Sequence, residues 1–320
     1  MDHPQMKDFE SLDQRVIRTT CDWSCSGQEL AKYLASRFTY RSFEEWKERI
    51  ASAEITLNGK TVAFDYRLQL HDQIEYRPQD IAEPDADLNY SIVYEDENFL
   101  VINKPGNLCM HPAGPFFKNT LWHLLASKYG EIHLASRLDR ETSGLLLAAK
   151  NKNAASQMAK KNIITQKKYL SVVHGCFLNT IEAKGFLISD SASAIRKKRK
   201  FVFDMPQTKE PFESAYTTLE PVRNNENYSL VSAIAHTGRT HQIRATLYSF
   251  GFPVCGDKLY GVDEMMFLRQ SREELDAEDW QKLLIKRQAL HSAHLEMRHP
   301  ESGEAMAFDA PLPEELAKLV

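Results

Sequence analysis

The amino-acid sequence predicts an α+β fold in two domains, a large one built on a mixed, largely antiparallel sheet and a small α/β one ahead of it. Three observations carry this. Apolar residues recur now at helical spacing and now in short strand-like runs, without the steady strand–helix alternation that a doubly wound parallel sheet requires. The stretch Arg77-Pro-Gln-Asp-Ile-Ala-Glu-Pro-Asp-Ala-Asp87 is polar, holds two prolines and has neither period, so it reads as a linker. The chain of 320 residues exceeds one typical domain of roughly 100–200 residues and suits one large and one small core. The expected division is residues 1–77, a linker at 78–88, and residues 89–320.

In the first domain, Ser26 and Glu29 form a capping-box pattern ahead of Leu30, Tyr33, Leu34 and Phe38, whose spacing puts them on one helical face. Ser42 and Glu45 repeat the pattern before Trp46 and Ile50. Ile55 to Lys60 then reads as a strand entering the Asn58-Gly59 turn, and Leu68 to Tyr76 as a closing strand. In the second domain, strands are expected at Tyr90–Glu95 and Phe99–Asn103 around the turn Asp96–Asn98, and a helix at Leu121–Tyr129 with Thr120 at its cap. Gly144 to Lys150 is an apolar strand and Asn153 to Lys161 a helix. Lys168–His174, Ala215–Leu219 and Tyr228–Ala235 are further strands. Thr237 to Arg244 is a turn leading into a helix, and Val262 to Lys286 is acidic and helical.

Hydrophobic residues make up 42% of the chain and charged ones 26%, an ordinary soluble composition with no apolar run near the roughly 20 residues of a membrane span. The leading MDHPQMKDFE has neither a basic start nor an apolar stretch, so a cytoplasmic location is expected. Cys21, Cys25, Cys109, Cys176 and Cys255 form an odd, scattered set that suits a reducing compartment better than a disulfide framework. Cys21 and Cys25 lack a second ligand pair, and no metal site is expected.

The net charge of −4 argues, taken alone, against a nucleic-acid partner. Its distribution argues the other way, because phosphate binding needs local cations. Arg137, Arg140, Lys150, Lys152, Lys160, Lys161, Lys167 and Lys168 gather mid-chain, followed by the run Arg196 to Lys200, while acids gather at Glu264 to Asp279. A positive face on an acidic body is possible on this pattern, as is a plain solvated surface.

Two segments carry chemistry. Ser136-Arg-Leu-Asp139-Arg-Glu-Thr-Ser-Gly144 puts a carboxylate between two arginines just before a strand, which by spacing alone is an ordinary surface ion-pair cluster. Thr237-Gly-Arg-Thr-His-Gln-Ile-Arg244 brings Arg239, His241 and Arg244 close together, the arginines being suited to phosphate or carboxylate. Asn58-Gly-Lys-Thr61 lacks the earlier glycine of a phosphate-binding loop, and His291 with His294 lacks the rest of a zinc set, so no cofactor is expected.

In their order, Arg137-Leu-Asp139 with Thr142-Ser-Gly144, Lys168-Tyr169, the 237–244 segment and Gly256-Asp-Lys-Leu-Tyr-Gly261 resemble the motifs of RluA-type pseudouridine synthases. Asn103-Lys-Pro105, His111-Pro112, Leu290–Leu295 and Ala310–Pro313 fit the same pattern, so the resemblance spans roughly 90–314. Residues 14–77 resemble the S4-like RNA-binding domain. The resemblance implies an isomerase that converts uridines of structured RNA without a cofactor, ribosomal RNA being favoured over transfer RNA, and a monomer. It implies Asp139 as the catalytic carboxylate, Arg244 as its partner, and Tyr169 as the aromatic that stacks on the uracil and helps remove the proton from ring carbon 5. Arg137 would occupy the space an everted base leaves, and Arg140, Lys104, Arg239 and Lys258 would bind RNA or shape the site. Ser136 and Thr246 stand where the family commonly has histidine, which bears on substrate identity. The alternative is a non-catalytic RNA-binding or ribosome-assembly factor on the same fold, although such a protein would be free to lose Asp139, Tyr169 and Arg244. A hydrolase using Asp139 with Glu141 lacks a pair of carboxylates facing one bond.

Overall fold

A computed structural model describes residues 9–11, 14–38, 41–79, 82–160 and 163–320. Lys161, the expected end of one helix, lies outside the described residues, as does most of the leading segment. The chain divides into two compact units, Met1–Ala86 with His111–Gly130, and Asp87–Met110 with Glu131–Val320.

In the first unit, β1 (Phe9–Ser11) and β2 (Gln14–Arg15) pair antiparallel, and β3 (Ile17–Thr20), β4 (Ile55–Leu57) and β5 (Gln73–Tyr76) form a sheet in the order β3-β5-β4. Helices α1 (Leu30–Arg37) and α2 (Phe43–Ala51) bury Leu30, Leu34, Trp46 and Ile50 with Ile55 and Ile74 of the sheet. The expected box at the start of α2 is present: Ser42 Oγ accepts from Glu45 N–H at 3.3 Å, and the Glu45 carboxylate accepts from Ser42 N–H at 2.7 Å. The one expected at α1 is not. Glu29 is the cap residue and makes no side-chain cap bond. The N–H groups of Leu30 and Ala31 instead donate to the carbonyls of Tyr66 and Phe64, at 2.8 and 3.0 Å, so a neighbouring loop does what Ser26 was expected to do. The closing strand is shorter than expected because a turn before it, with His71 at φ 73°, is held by Asp72 accepting from Gln69 N–H at 2.8 Å.

Residues 111–130, which the sequence places in the second domain, are tied into this first unit. The Glu83 carboxylate accepts from the N–H groups of Phe117, Lys118 and Asn119 at 2.7–2.8 Å, and Arg15 donates to Gly114 O at 2.6 Å. Here α3 (Leu121–Tyr129) starts at Thr120, whose hydroxyl accepts from His123 N–H, as the sequence implies.

The second unit is one large sheet. Its strands are β6 (Ser91–Glu95), β7 (Phe99–Lys104), β8 (His133–Leu134), β9 (Ser143–Ala149), β10 (Ile164–His174), β11 (Ile181–Ser189), β12 (Arg199–Val202), β13 (Glu213–Asn224), β14 (Tyr228–Ala235), β15 (Leu290–Arg298) and β16 (Ala305–Asp309). The order is β12-β11-β13-β14-β10-β15-β9-β7-β6, with β16 on β15 and β8 on β9. Among the described residues β9 and β15 are the only parallel neighbours, which bears out the expected mixed, largely antiparallel sheet. Helices α4 (Lys152–Met158), α5 (Gln242–Ser249), α6 (Met265–Ser271), α7 (Ala277–Leu283) and α8 (Glu314–Ala317) accompany it.

The β9/β15 seam depends on one glycine. Gly144 has φ +106°, and a Cβ there would sit 2.2 Å from Ser292 O. Only glycine accepts both the dihedral and the approach. Beyond it, β9 is buried on both faces, matching its apolar sequence Leu145 to Ala149.

Candidate active site

Asp139 lies in the loop between β8 and β9, just before the seam. The loop is pinned from inside: Lys104 Nζ donates to the carbonyls of Pro105, Leu108 and Arg140 at 2.7, 3.1 and 3.0 Å, and Thr142 N–H donates to Asp139 O at 3.1 Å. Lys104 is fully buried, and burial pushes its pKa down to about 7. Its three carbonyl acceptors match the three N–H bonds of an ammonium, which opposes that push, since a neutral amine has only two.

Opposite stands α5, preceded by the 237–244 turn. Gln242 locks that turn: its Oε1 accepts from Thr237 Oγ1 at 2.8 Å and from Arg239 N–H at 3.0 Å, and its Nε2 donates to Tyr216 O and Thr217 Oγ1. His241, at φ 58°, caps the helix in the left-handed region. The helix then aims Arg244 inward. Its guanidinium donates twice to Asp257, at 2.6 and 2.8 Å, and once to Asp139, at 2.7 Å, while its carbon Cζ lies 5.0 Å from the centre of the Tyr260 ring. Asp257 is itself fixed by the N–H groups of Leu259 and Tyr260, each at 2.9 Å.

Asp257 and Arg244 are buried, but a third of the Asp139 side chain remains open. Desolvation would raise the Asp139 pKa; the Arg244 charge, helped by His241 and by hydrogen bonds from Arg244 and Gln288, overcomes it and holds the carboxyl at about 2. His241 Nε2 lies 3.9 Å from the carboxylate, and burial with the nearby Arg244 charge brings its own pKa down to about 4, so it is neutral at neutral pH. Tyr169, on β10, pairs with Ala233 of β14 and Ser292 of β15. It is half-buried, and burial together with the Asp139 charge pushes its phenol up to about 12, against a hydrogen bond with Ser292. An ionised carboxylate, a guanidinium behind it and a neutral tyrosine thus converge at the seam.

Residues 98–249 match the family model described as RNA pseudouridylate synthase. The RNA pseudouridine synthase YlyB of Bacillus subtilis (strain 168) is 30% identical over 324 residues, covering 95% of this chain and 97% of that protein. The chain belongs to the RNA pseudouridine synthases of the RluA type. Ribosomal large subunit pseudouridine synthase D of Haemophilus influenzae is 29% identical, covering 92% of this chain and 90% of its own. Among solved structures, human RNA Pseudouridylate Synthase Domain Containing 1 aligns with TM-score 0.54 and 26% identity, covering 72% of this chain and 86% of that one. The synthase is therefore an isomerase that acts on RNA.

The remaining residues singled out by sequence fall into two groups. Arg137 is exposed and makes no hydrogen bond or ion pair among the described residues. Arg239 is also exposed, yet donates to Ser214 O at 3.1 Å and pairs with Glu213 at 3.7 Å. Arg140 pairs with Glu141 at 3.2 Å. Lys104 and Lys258 fit the site-shaping half of the expectation: both are buried. Lys258 donates to both Glu141 oxygens, at 3.1 and 3.0 Å, and to Lys286 O, so it ties the Asp139 loop to the segment before β15. Glu141, which also accepts from Gln288 N–H at 3.1 Å, is fully engaged in that tie and offers no second carboxylate beside Asp139.

The two departures from the family pattern lie in the Asp139 loop and on α5. Ser136 Oγ accepts from Leu147 N–H at 3.0 Å, fastening the loop to β9, and Thr246 is fully buried on α5. Ser136 is half-buried, whereas Thr246 does not reach the surface. Asp257, Tyr260 and Gln288 were not singled out by sequence. The first two lie in the Gly256–Gly261 run, where spacing does not reveal that the carboxylate turns inward, and Gln288 carries no motif signal. Among the described residues, no group of three or more His, Cys, Asp or Glu side chains is placed to hold a metal ion.

Proposed function

We propose that Asp139 is the catalytic carboxylate of this synthase, that Arg244 keeps it ionised, that Tyr169 provides the stacking face for the target uracil, and that the substrate is large-subunit ribosomal RNA. The observation that carries this reading is the Asp139 carboxylate itself, gripped at 2.7 Å by a buried guanidinium while a third of its side chain stays open. Such a group remains charged when a base covers it, which is what chemistry at the sugar demands.

The isomerisation breaks the bond from uracil N1 to ribose C1′, turns the base, and joins C5 to C1′. The proton on C5 leaves and N1 gains one, so no redox partner or group donor is required. The carboxylate acts on the sugar, as nucleophile or as base. A phenol at about 12 is protonated at neutral pH, so Tyr169 takes the C5 proton only as it hands its own onward. Its standing role is the stack. A uridine in a stem must first be everted, at a cost of a few kcal/mol. Arg137, exposed and without a partner among the described residues, is suited to fill the space left behind.

Ribosomal RNA is favoured by the similarity to a protein named a ribosomal large subunit pseudouridine synthase. The two-helix, three-strand core of the first unit suits an S4-like RNA-binding domain and adds support. No helix among the described residues is long and apolar enough to cross a membrane, and a cytoplasmic monomer is the working reading. Mapping of pseudouridines in ribosomal and transfer RNA from cells with and without the gene tests it. Sites lost on deletion should lie in large-subunit ribosomal RNA and return with the wild-type gene but not with Asp139→Asn. Loss from transfer RNA alone would overturn the substrate, and full rescue by the variant would overturn the catalytic role.

A further inference from the structure

Strands β10 and β14 separate next to the active site. Their pairing runs from His174↔Tyr228 to Lys168↔Ile234 and stops there. Beyond it, residues 164–167 of β10 and residues 235–238 diverge and line a half-open cleft of about 280 Å³. That is close to the lower bound of roughly 300 Å³ for small-ligand sites. Its walls combine the apolar Ile164 and Ile234, one cation, Lys167, and the ring of His236. The His236 ring is stacked on Tyr216 with centroids 4.0 Å apart. Among the described residues the inner edge of β10 pairs with no strand here, which leaves its backbone donors and acceptors for a ligand.

Lys167 is the telling residue. It is half-buried, has no hydrogen-bond or ion-pair partner among the described residues, and burial alone lowers its pKa, with no acidic group offsetting it. A part-desolvated ammonium facing a cavity without a carboxylate is a site prepared for an anion. It also sits two residues before Tyr169 on the same strand, and pairing with β14 is regular across the register from Lys168 to His174. Lys167 and Tyr169 are thus about 7 Å apart along β10, with a register shift against β15 falling between Lys168 and Tyr169. Past Gly238, the same wall runs directly into the turn that delivers Arg244.

Resting on the reading of Tyr169 as the stacking face, we propose that this cleft is a nucleotide subsite. It takes the nucleotide next to the target uridine, with that nucleotide's phosphate on Lys167 and its base between the apolar wall and His236. A cation, an aromatic ring and an open backbone edge are together the chemistry of single-stranded nucleotide recognition. Lys167 is then a specificity residue, acting in binding and remote from the bonds that change.

The test uses the full chain, with Lys167→Gln and Lys167→Arg variants. On a short RNA carrying a uridine the wild type converts, Lys167→Gln should raise KM by about tenfold, the loss of one charge-assisted contact, and leave kcat within about twofold. Lys167→Arg should stay near wild type. Replacing each flanking phosphate in turn by an uncharged methylphosphonate should find one position that costs the wild type the same KM increase and costs Lys167→Gln nothing more. For a fluorescent uridine octamer, the slope of log affinity against log salt should fall by about 0.7 in Lys167→Gln, one phosphate contact on a single strand. The thermal midpoint should hold or rise, because an unpaired charge is removed. An unchanged KM and salt slope, or phosphate and lysine losses that multiply, would overturn the subsite. A wild type that converts no uridine in any RNA would instead overturn the functional reading beneath it.

Discussion

Arg244 divides its donors between two carboxylates, and the division sets what each substitution does. Asp257 holds the guanidinium in place with two bonds, and the remaining bond reaches Asp139. A lysine at this position has no planar fork and cannot serve both acids. We expect Arg244→Lys to lower kcat by about 100-fold with RNA affinity nearly kept, a loss of pre-organised electrostatics, read by single-turnover rates beside equilibrium binding. Asp257→Asn removes the anchor and leaves a buried cation under-compensated, so it should destabilise the catalytic unit by about 3 kcal/mol in urea unfolding. Wild-type stability would show that Asp257 is not the anchor. At this scale the sequence was legible in the Asp139–Arg244 pairing, which the motifs imply and the 2.7 Å contact bears out. It was not legible where direction decides. A lysine two residues from an aromatic, such as Lys167, and a lysine clamped on carbonyls, such as Lys104, look alike until the chain is folded.

Elements were legible where their causes are local. Helices α2 and α3 announce themselves by a capping side chain and an apolar stripe, and β6, β7 and β9 by short apolar runs between turn residues. Ser42→Ala should cost about 1 kcal/mol of helix stability. The loss should be confined to the first unit and be visible as faster amide exchange in α2, with single-turnover rates on bound RNA unchanged. What stayed hidden was non-local. The start of α1 is satisfied by carbonyls more than thirty residues away, and β15 finds its place between β9 and β10 through contacts that no window of sequence contains. Gly144 marks that seam. Gly144→Ala puts a methyl group against Ser292 O at a dihedral alanine avoids, and it should abolish soluble, folded protein or lower the thermal midpoint by many degrees. A folded Gly144→Ala variant with wild-type activity would mean β9 and β15 can part without loss.

Across the whole molecule, charge proved less polarised than the sequence suggested. Lys198 is paired with Glu264 at 2.7 Å, Arg199 with Glu213 at 3.0 Å and Lys150 with Glu95 at 2.9 Å, so much of the basic run is neutralised by the chain's own acids. Arg137 and Lys167 are among the cations with no acidic partner among the described residues, and they stand on either side of Asp139 in sequence. Between about pH 6.5 and 5, before the carboxylates titrate, acid sensitivity should come from histidines. Burial lowers both His241 and His291 to about 4. Between that value and the ordinary histidine range near 6.5 the unfolded chain binds protons that the folded chain does not. Their contribution to stability is therefore full above about pH 6.5 and is lost as pH falls through about 4. The urea midpoint should drop across that window, less steeply in His291→Asn. Asp139, held at about 2 when folded and near 3.8 when unfolded, adds to the slope only below about pH 5.

The most direct measurement is the single-turnover rate of pseudouridine formation by Asp139→Asn, taken with its affinity for the same RNA. Asparagine keeps the shape and removes the charge. Product indistinguishable from background, with affinity within about threefold of wild type, is the expected outcome. Turnover within about tenfold of wild type would contradict an ionised carboxylate at position 139 as the catalytic group.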